Sequence, residues 1–313
     1  MHHQIQHSPE LLASVQGKTA LITGAARGIG AATACLFNKH GANVVITDLS
    51  FLRESAEQLI DTLEHPGKAI FVPGSITDWA QLRDVFKQGI AKFGRIDIVV
   101  ANAGIMESNT VLDVDVDDYG DPIESAEAVK VLDVNLKGTL NTLRLGLHYI
   151  SQNQPASPEN PDRGSIVLVS STSGYFGTTG NAAYIASKHG TVGLLRASQA
   201  KATSLGIRIN SIAPNYTPTY ITAGFDRNSI KEAGLEVNTP EMVGTAIMYA
   251  AVDPERRGTC CLVAGQFLRE LELTQKSFVS SWLGEDLAGA MARFGKFLAE
   301  TGGYKLPPST KII

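Results

Sequence analysis

Cysteine is almost missing from this chain: Cys35, Cys260 and Cys261 are the whole complement. There is no CxxC pair, and two vicinal cysteines are poorly placed for a disulfide framework. That excludes a zinc site of the usual spacing and a disulfide-stapled secreted scaffold, and it points to a reducing compartment. A surplus of one charge is also missing. Lys and Arg number 27 against 31 Asp and Glu, a formal net charge of -4, so there is no electrostatic footprint for nucleic acid or an anionic membrane. No apolar run reaches the ~18 residues that a membrane span requires. The C-terminal Thr310-Lys311-Ile312-Ile313 is not the peroxisomal address. The expectation is a cytoplasmic protein with no membrane span. His2, His3 and His7 fall in a polar tail over residues 1–16 and are read as loose rather than metal-binding.

What is present is an ordinary globular composition over 313 residues, 43% hydrophobic and 19% charged, enough for one large α/β domain. Short apolar runs alternate with amphipathic stretches. Ala31–His40, Ser55–Leu63, Trp79–Phe93, Glu127–Ser151 and Ala182–Ala202 read as helices. Asn43–Thr47, Ala69–Val72, Ile96–Ala101, Ser165–Ser170 and Arg208–Ala213 read as strands whose near-continuous apolar character suits a parallel sheet covered on both faces. The rhythm predicts a doubly wound sheet with right-handed crossovers. Two segments interrupt it. Residues 111–127 are rich in Asp but lack the glycine and terminal glutamate of an EF-hand, so they read as a solvated acidic loop, and no metal site is expected. Residues 216–240 follow the strand ending near Ala213, at the carboxyl edge where such sheets bind ligands.

The run Lys18-Thr-Ala-Leu-Ile-Thr-Gly-Ala-Ala-Arg-Gly-Ile-Gly30 ends a strand, turns on glycines and opens a helix. Asp48 closes the next apolar run. This is the pattern of a dinucleotide-binding βαβ unit. Gly24 permits the tight turn, Gly28 lets backbone approach a pyrophosphate, Gly30 allows helix and strand to pack closely, and Asp48 reads the adenosine ribose. The helix N-terminus supplies N–H groups and partial positive charge to the phosphates.

Further along, Tyr184 and Lys188 stand one helical turn apart on one face. A phenol titrates near 10, too high for a base at neutral pH. The lysine and a positive nicotinamide ring would favour the phenolate. Ser171, just beyond the strand Ser165–Ser170, can hydrogen-bond the same substrate oxygen. Asn135, on the long helix, can join the lysine to a water chain. His148 on that helix reads as packing or surface.

Taken in order, Thr23-Gly24-Ala-Ala-Arg-Gly28-Ile-Gly30, Asn102-Ala-Gly104, Asn135, Ser171, Tyr184-x-x-x-Lys188 and Arg208-Ile-Asn-Ser-Ile-Ala-Pro214 closely resemble the classical short-chain dehydrogenase/reductase family. The resemblance runs from about Gly17 to Leu262. It implies a Rossmann-type doubly wound fold with a mostly parallel seven-stranded sheet, as one domain over residues 17–270, with a substrate-binding loop at 216–240; the C-terminal helical extension read over 271–313 is a departure that the compact members lack. It implies Tyr184 as acid/base, Ser171 as the residue that positions the reacting oxygen, Lys188 on the nicotinamide ribose, and Asn135 on a relay water.

For the coenzyme the resemblance implies Gly24, Ala26, Arg27, Gly28, Ile29 and Gly30 at the phosphate turn. Asp48 with Leu49 looks like the NAD-preferring version, since a carboxylate repels a 2′-phosphate. Asn102, Ala103 and Gly104 lie on the adenine side. Ser75 stands where many members carry an aspartate for the adenine amine, leaving that contact weaker or to the Ile76 backbone. Pro214-Asn215 replaces the usual Pro-Gly. Thr217 and Thr219 follow, with Thr219 at the spacing for a hydroxyl near the carboxamide. Ala264-Gly265-Gln266 replaces the common Asp-Gly-Gly.

The implied partner is a small hydrophobic alcohol or its ketone, on a rim of Met106, Tyr175 and Phe176 facing Tyr216, Tyr220, Ile221 and Phe225. The family further implies a homotetramer or homodimer. Leu283, Leu287, Met291, Phe294 and Leu298 recur at helical intervals and predict a C-terminal amphipathic helix, either packed on its own domain or acting as a lid or inter-subunit contact. The expected function is NAD-dependent alcohol–ketone interconversion. An NADP-linked biosynthetic ketoreductase and a silent nucleotide-binding sensor or scaffold are the alternatives.

Overall fold

The computed structural model describes residues 9–157, 159–178, 180–224 and 227–305. Eight strands form one sheet: β1 (Thr19–Thr23), β2 (Asn43–Thr47), β3 (Ala69–Phe71), β4 (Ile98–Ala101), β5 (Gly164–Val169), β6 (Ile207–Pro214), β7 (Cys260–Ala264) and β8 (Phe267–Glu270). Their spatial order is β3-β2-β1-β4-β5-β6-β7-β8, and every pairing is parallel except the last. The helices are α1 (Pro9–Ala13), α2 (Gly28–Lys39), α3 (Arg53–Asp61), α4 (Trp79–Phe93), α5 (Ala126–Leu132), α6 (Thr139–Ile150), α7 (Ala182–Ser204), α8 (Arg227–Glu232), α9 (Pro240–Val252), α10 (Glu272–Ser277), α11 (Val279–Leu283) and α12 (Glu285–Glu300). This is the expected doubly wound α/β fold, with the order reversing between β1 and β4.

The central strands feed two cores. Ala20, Ile22, Val44, Ile46, Ile98 and Val100 face one cluster with Phe37 of α2 and Ile247 and Met248 of α9. The intervening Leu21, Val45 and Val99 face the other, with Leu82 and Phe86 of α4, Leu143 of α6 and Leu195 of α7. The two-residue period of a strand therefore survives beneath a continuously apolar sequence.

Four features go beyond the sequence reading for local reasons. The sheet has eight strands rather than seven: Gly265, at φ +55, turns β7 back on itself, so that Cys261 pairs with Glu270 and Ala264 with Phe267. β4 starts at Ile98 rather than Ile96 because the Asp97 carboxylate accepts from Thr19 N at 2.9 Å, standing in for a ladder partner. The long helix at 127–151 is broken by a π turn over Asp133–Gly138 that joins α5 to α6 and carries Asn135, a device common at functional sites. The C-terminal amphipathic helix forms as α12 but buries none of its residues; it lies on α11, and Leu287, Met291 and Phe294 are 48–57% exposed. No helix among the described residues is long and apolar enough to cross a membrane.

Candidate active site

The parallel strands β1, β2, β4, β5 and β6 end at one edge of the sheet, and the motifs sit where they end. Gly24 (φ +64) and Gly28 (φ +61) take left-handed backbone in the turn from β1 to α2, a conformation that strains any residue with a Cβ. At Gly24 a Cβ would also come within 2.7 Å of Ala103 Cα, so the turn can lie this close to the end of β4 only as glycine. Arg27 precedes α2 and makes no side-chain cap. The first turn of a 12-residue helix is thus left for an anion.

Asp48 holds this turn from the end of β2. Its Oδ2 accepts from Ala26 N at 3.1 Å and its Oδ1 from Leu49 N at 2.9 Å. A carboxylate oxygen accepts more than one bond, so both keep capacity for a diol. On the other side, Asn102 Nδ2 donates to Thr23 O and Gly24 O at 2.9 and 3.1 Å. Thr23 Oγ1 accepts in return from Asn102 N and Ala103 N. Ser75 spends its hydroxyl on Thr77 Oγ1 at 2.8 Å, and the Ile76 carbonyl accepts from Asn141. These residues fit a dinucleotide: a glycine cradle, an uncapped helix start and an acceptor pair at the ribose position.

The chemical groups converge from β5, the π turn and α7. Ser171 follows β5 and is 8% exposed, its Oγ accepting from Ser173 N at 3.1 Å, and its hydroxyl stands near enough to the half-buried phenol of Tyr184 to favour the phenolate. Lys188 is buried, its Nζ donating to Val169 O at 2.9 Å and standing 5.5 Å from the Tyr184 ring centroid. Asn135 is fully buried. Its Nδ2 donates to Ile105 O and Ser187 Oγ at 2.8 and 3.0 Å, while Oδ1 accepts from Ile105 N at 2.8 Å. A Cβ on Gly104 would meet Asn135 Oδ1 at 3.2 Å and Lys188 Nζ at 3.6 Å, so the absent side chain leaves room between those two polar atoms.

Electrostatically the free chain behaves unlike the sequence expectation. Burial pushes the Tyr184 phenol up, opposed by the nearby Ser171 hydroxyl and helped by the charge of Glu107. Burial alone pushes Lys188 down to about 8. Desolvation thus opposes both ions, and the lysine does not prepare the phenolate unaided. Between about 8 and the ordinary 10.5 of a lysine the unfolded chain binds more protons at this group, so its contribution to stability rises with pH across that window. The unfolding free energy of wild type minus that of Lys188→Met should therefore climb over that interval in urea melts. A flat difference would show that the lysine is not desolvated.

The residues expected at the substrate rim are less convergent. Met106 Sδ accepts from Asn181 Nδ2 at 3.0 Å. Tyr175 donates its hydroxyl to Glu272 of α10 at 2.9 Å, and Arg196 of α7 clasps the same carboxylate at 2.8 and 2.9 Å. Phe176 is 62% exposed, and Ile221 and Tyr216 are half-buried. Tyr220 lies beneath the Arg27 guanidinium, 4.3 Å from its ring centroid, and so links the loop after β6 to the glycine turn. Thr219 is also there, its methyl 3.4 Å from where a Cβ on Gly28 would stand. Phe225 lies outside the described residues. His148 is exposed and meets Gln152, as expected of a surface residue.

Sequence reasoning missed two organising residues because their partners are remote. Glu107 caps α7, 76 residues away. Asn238, fully buried, donates to Asn215 O, Thr217 Oγ1 and Val263 O and accepts from Gly265 N at 2.7 Å, fastening the loop after β6 to the end of β7. The one local signal is an Asn just before the helix start Thr239-Pro240, which reads equally well as a turn residue. Asn238→Ala strands several of these buried groups and should cost about 2–3 kcal/mol in urea denaturation; a loss below about 1 kcal/mol would mean that water replaces the clamp.

Comparison with known proteins agrees with this geometry. The family model for short chain dehydrogenase matches residues 18–229. The 3-oxoacyl-[acyl-carrier-protein] reductase FabG of Thermotoga maritima is 32% identical over 245 residues, covering 76% of this chain and 92% of that protein. (+)-Borneol dehydrogenase 1 of Salvia officinalis is 32% identical over 250 residues, covering 76% and 88%. A short-chain type dehydrogenase/reductase from Mycobacterium marinum superposes with a TM-score of 0.71 at 25% identity, over 82% of this chain and 98% of that one. The match takes in the glycine turn, the π turn and the Tyr184 helix together, along more than half the chain, and so this protein belongs to the short-chain dehydrogenase/reductase family.

Proposed function

We propose that this chain is an NAD-dependent oxidoreductase that interconverts a hydrophobic secondary alcohol and its ketone, with Tyr184 as the acid/base. The observation that carries the reading is the joint burial of Lys188 and Ser171 around the Tyr184 phenol, at the same sheet edge as Asp48 and the glycine turn. NAD is favoured because Asp48 presents both carboxylate oxygens at the strand end, and a negative group there disfavours a second phosphate.

In this reading a bound nicotinamide supplies the hydride acceptor or donor. The protein supplies everything else. Ser171 and Tyr184 aim two hydroxyls at the substrate oxygen. In oxidation Tyr184 takes the proton from the alcohol hydroxyl; in reduction it returns a proton to the carbonyl oxygen. Its raised phenol leaves it protonated at neutral pH in the free chain, ready for the reductive direction. The oxidative direction needs positive charge near the ring, and Lys188, at about 8, is mostly an ammonium at neutral pH and stands 5.5 Å from the ring centroid. The gap at Gly104 between Asn135 Oδ1 and Lys188 Nζ suits a relay water. The rim of Tyr216, Ile221, Phe176 and Met106 favours an apolar substrate. A homodimer or homotetramer and a cytoplasmic location complete the proposal.

An NADP-linked ketoreductase is the second reading. It gains from the name of the Thermotoga relative and from Arg27 beside the turn. Nicotinamide absorbance with NAD and NADP, across apolar secondary alcohols and matching ketones, decides between them. Turnover with NADP in excess of NAD would overturn the preferred one. Coenzyme binding without turnover of any substrate would point to the sensor.

A further inference from the structure

The 23-residue helix that carries Tyr184 starts without a local cap. Asn181 stands at its N-cap position but makes no capping bond and instead reaches Met106 Sδ. The first amides of the helix are satisfied from a distant segment. Glu107 Oε1 accepts from Ala183 N at 3.0 Å, and Glu107 Oε2 accepts from Tyr184 N at 3.0 Å. The carboxylate is 8% exposed. A buried anion is tolerable here because charge-assisted amide bonds and the positive end of a long helix both act on it.

The other side of the Tyr184 peptide is held from the same direction. Ser187 Oγ donates to Tyr184 O at 2.7 Å and accepts from Asn135 Nδ2, and Asn135 also brackets both the N–H and the C=O of Ile105. Residues 105–107, immediately beyond Asn102-Ala-Gly104, thus grip Tyr184 at its amide directly and at its carbonyl through two side chains. A helix held only by its own turns could slide or fray at its first residues. This one cannot without breaking the grip. We propose that Glu107 is a positioning residue for proton transfer at this site: it caps the helix at the amide of Tyr184 itself and so fixes where the phenol stands against Ser171. The proposal rests on the acid/base reading of Tyr184.

Charge follows from the same placement. Three groups face the phenol. Lys188 lies on its own helix, the neutral Ser171 hydroxyl comes from the segment after β5, and Glu107 comes from the segment after β4; Asn135 from the π turn is neutral. Glu107 is the carboxylate that acts on the phenol, and it opposes ionisation. Cap and charge can be separated by substitution. Glu107→Gln keeps an acceptor oxygen for Tyr184 N and loses the charge; Glu107→Ala loses both.

The test reads kcat and KM, coenzyme binding by fluorescence, and the Tyr184 phenol by ultraviolet titration against a Tyr184→Phe background. Glu107→Ala should lower kcat by about tenfold to a hundredfold with coenzyme affinity within about twofold. Glu107→Gln should recover most of kcat, while its phenol ionises at lower pH than in wild type. If Glu107→Ala lowers the melting temperature and leaves kcat and the phenol titration unchanged, the residue is only a structural cap and the proposal falls. Should Glu107→Ala fail to fold, an unshifted phenol in Glu107→Gln overturns it equally. Titration and coenzyme binding need no turnover: an inactive wild type whose phenol still shifts in Glu107→Gln would sink the acid/base reading, whereas an active wild type with kcat and phenol unmoved in the variants would sink the role of Glu107 alone.

Discussion

Replacing Tyr184 with phenylalanine is expected to lower kcat by about 10²–10⁴-fold, the range for a positioned acid or base. The substitution removes one oxygen. The ring stays in its place beside Lys188, 5.5 Å from Nζ, and the main chain stays gripped by Glu107 and Ser187. Coenzyme affinity should therefore change by less than about twofold, and KM should move little, which is the signature of an interaction needed in the transition state and not for binding. Ser171 loses the neighbouring phenol oxygen. That costs little stability, because its Oγ still accepts from Ser173 N at 3.1 Å. Stopped or steady-state nicotinamide absorbance measures the rate, and fluorescence titration measures the coenzyme. A loss below about tenfold would move the proton-transfer role away from Tyr184.

Asp48→Asn is expected to shift the ratio of kcat/KM for NAD over NADP by about 10- to 100-fold toward NADP. The estimate takes about 1.4–2.8 kcal/mol, inside the ~1–4 kcal/mol span for charges a few ångströms apart across a partly solvated gap, with each 1.4 kcal/mol worth about tenfold. The variant keeps one acceptor oxygen, enough for the Ala26 amide of the turn, and gives up the local bond from Leu49 N. The glycine turn should survive, and a melting curve checks that it does. Arg27 is stacked on Tyr220 rather than paired with Asp48, so removing the carboxylate frees no new salt bridge. Equal use of both coenzymes by wild type, with no shift in the variant, would remove Asp48 from coenzyme choice.

The glycine turn was readable because its requirement is local: two positive-φ positions and a helix start within a few residues of Gly24. Strands and helices were readable because burial imposes its period on the residues that carry it. Tyr184 and Lys188 were readable as a pair because one turn of helix puts them together whatever surrounds them. Their ionisation was not. Desolvation is a property of everything packed around a group, and it ran against the phenolate that the pair alone suggested. The π turn at Asn135 hid inside an unbroken helical pattern, since one widened turn barely disturbs a 3.6-residue period. The eighth strand hid because four residues after a glycine carry no period of their own until β7 offers them an edge. The bond from Tyr175 to Glu272 was not readable either, because α10 reaches that hydroxyl from 97 residues away. By itself, then, the sequence determined the doubly wound fold, the family and the residue types along the sheet edge, all consequences of short-range backbone geometry and of apolar period. Only the tertiary structure decided that Glu107 caps the Tyr184 helix across 76 residues and that Asn238 clamps the loop after β6. Hydrogen bonds between segments so far apart leave no trace in either local pattern; the packed sheet alone brings their two ends together.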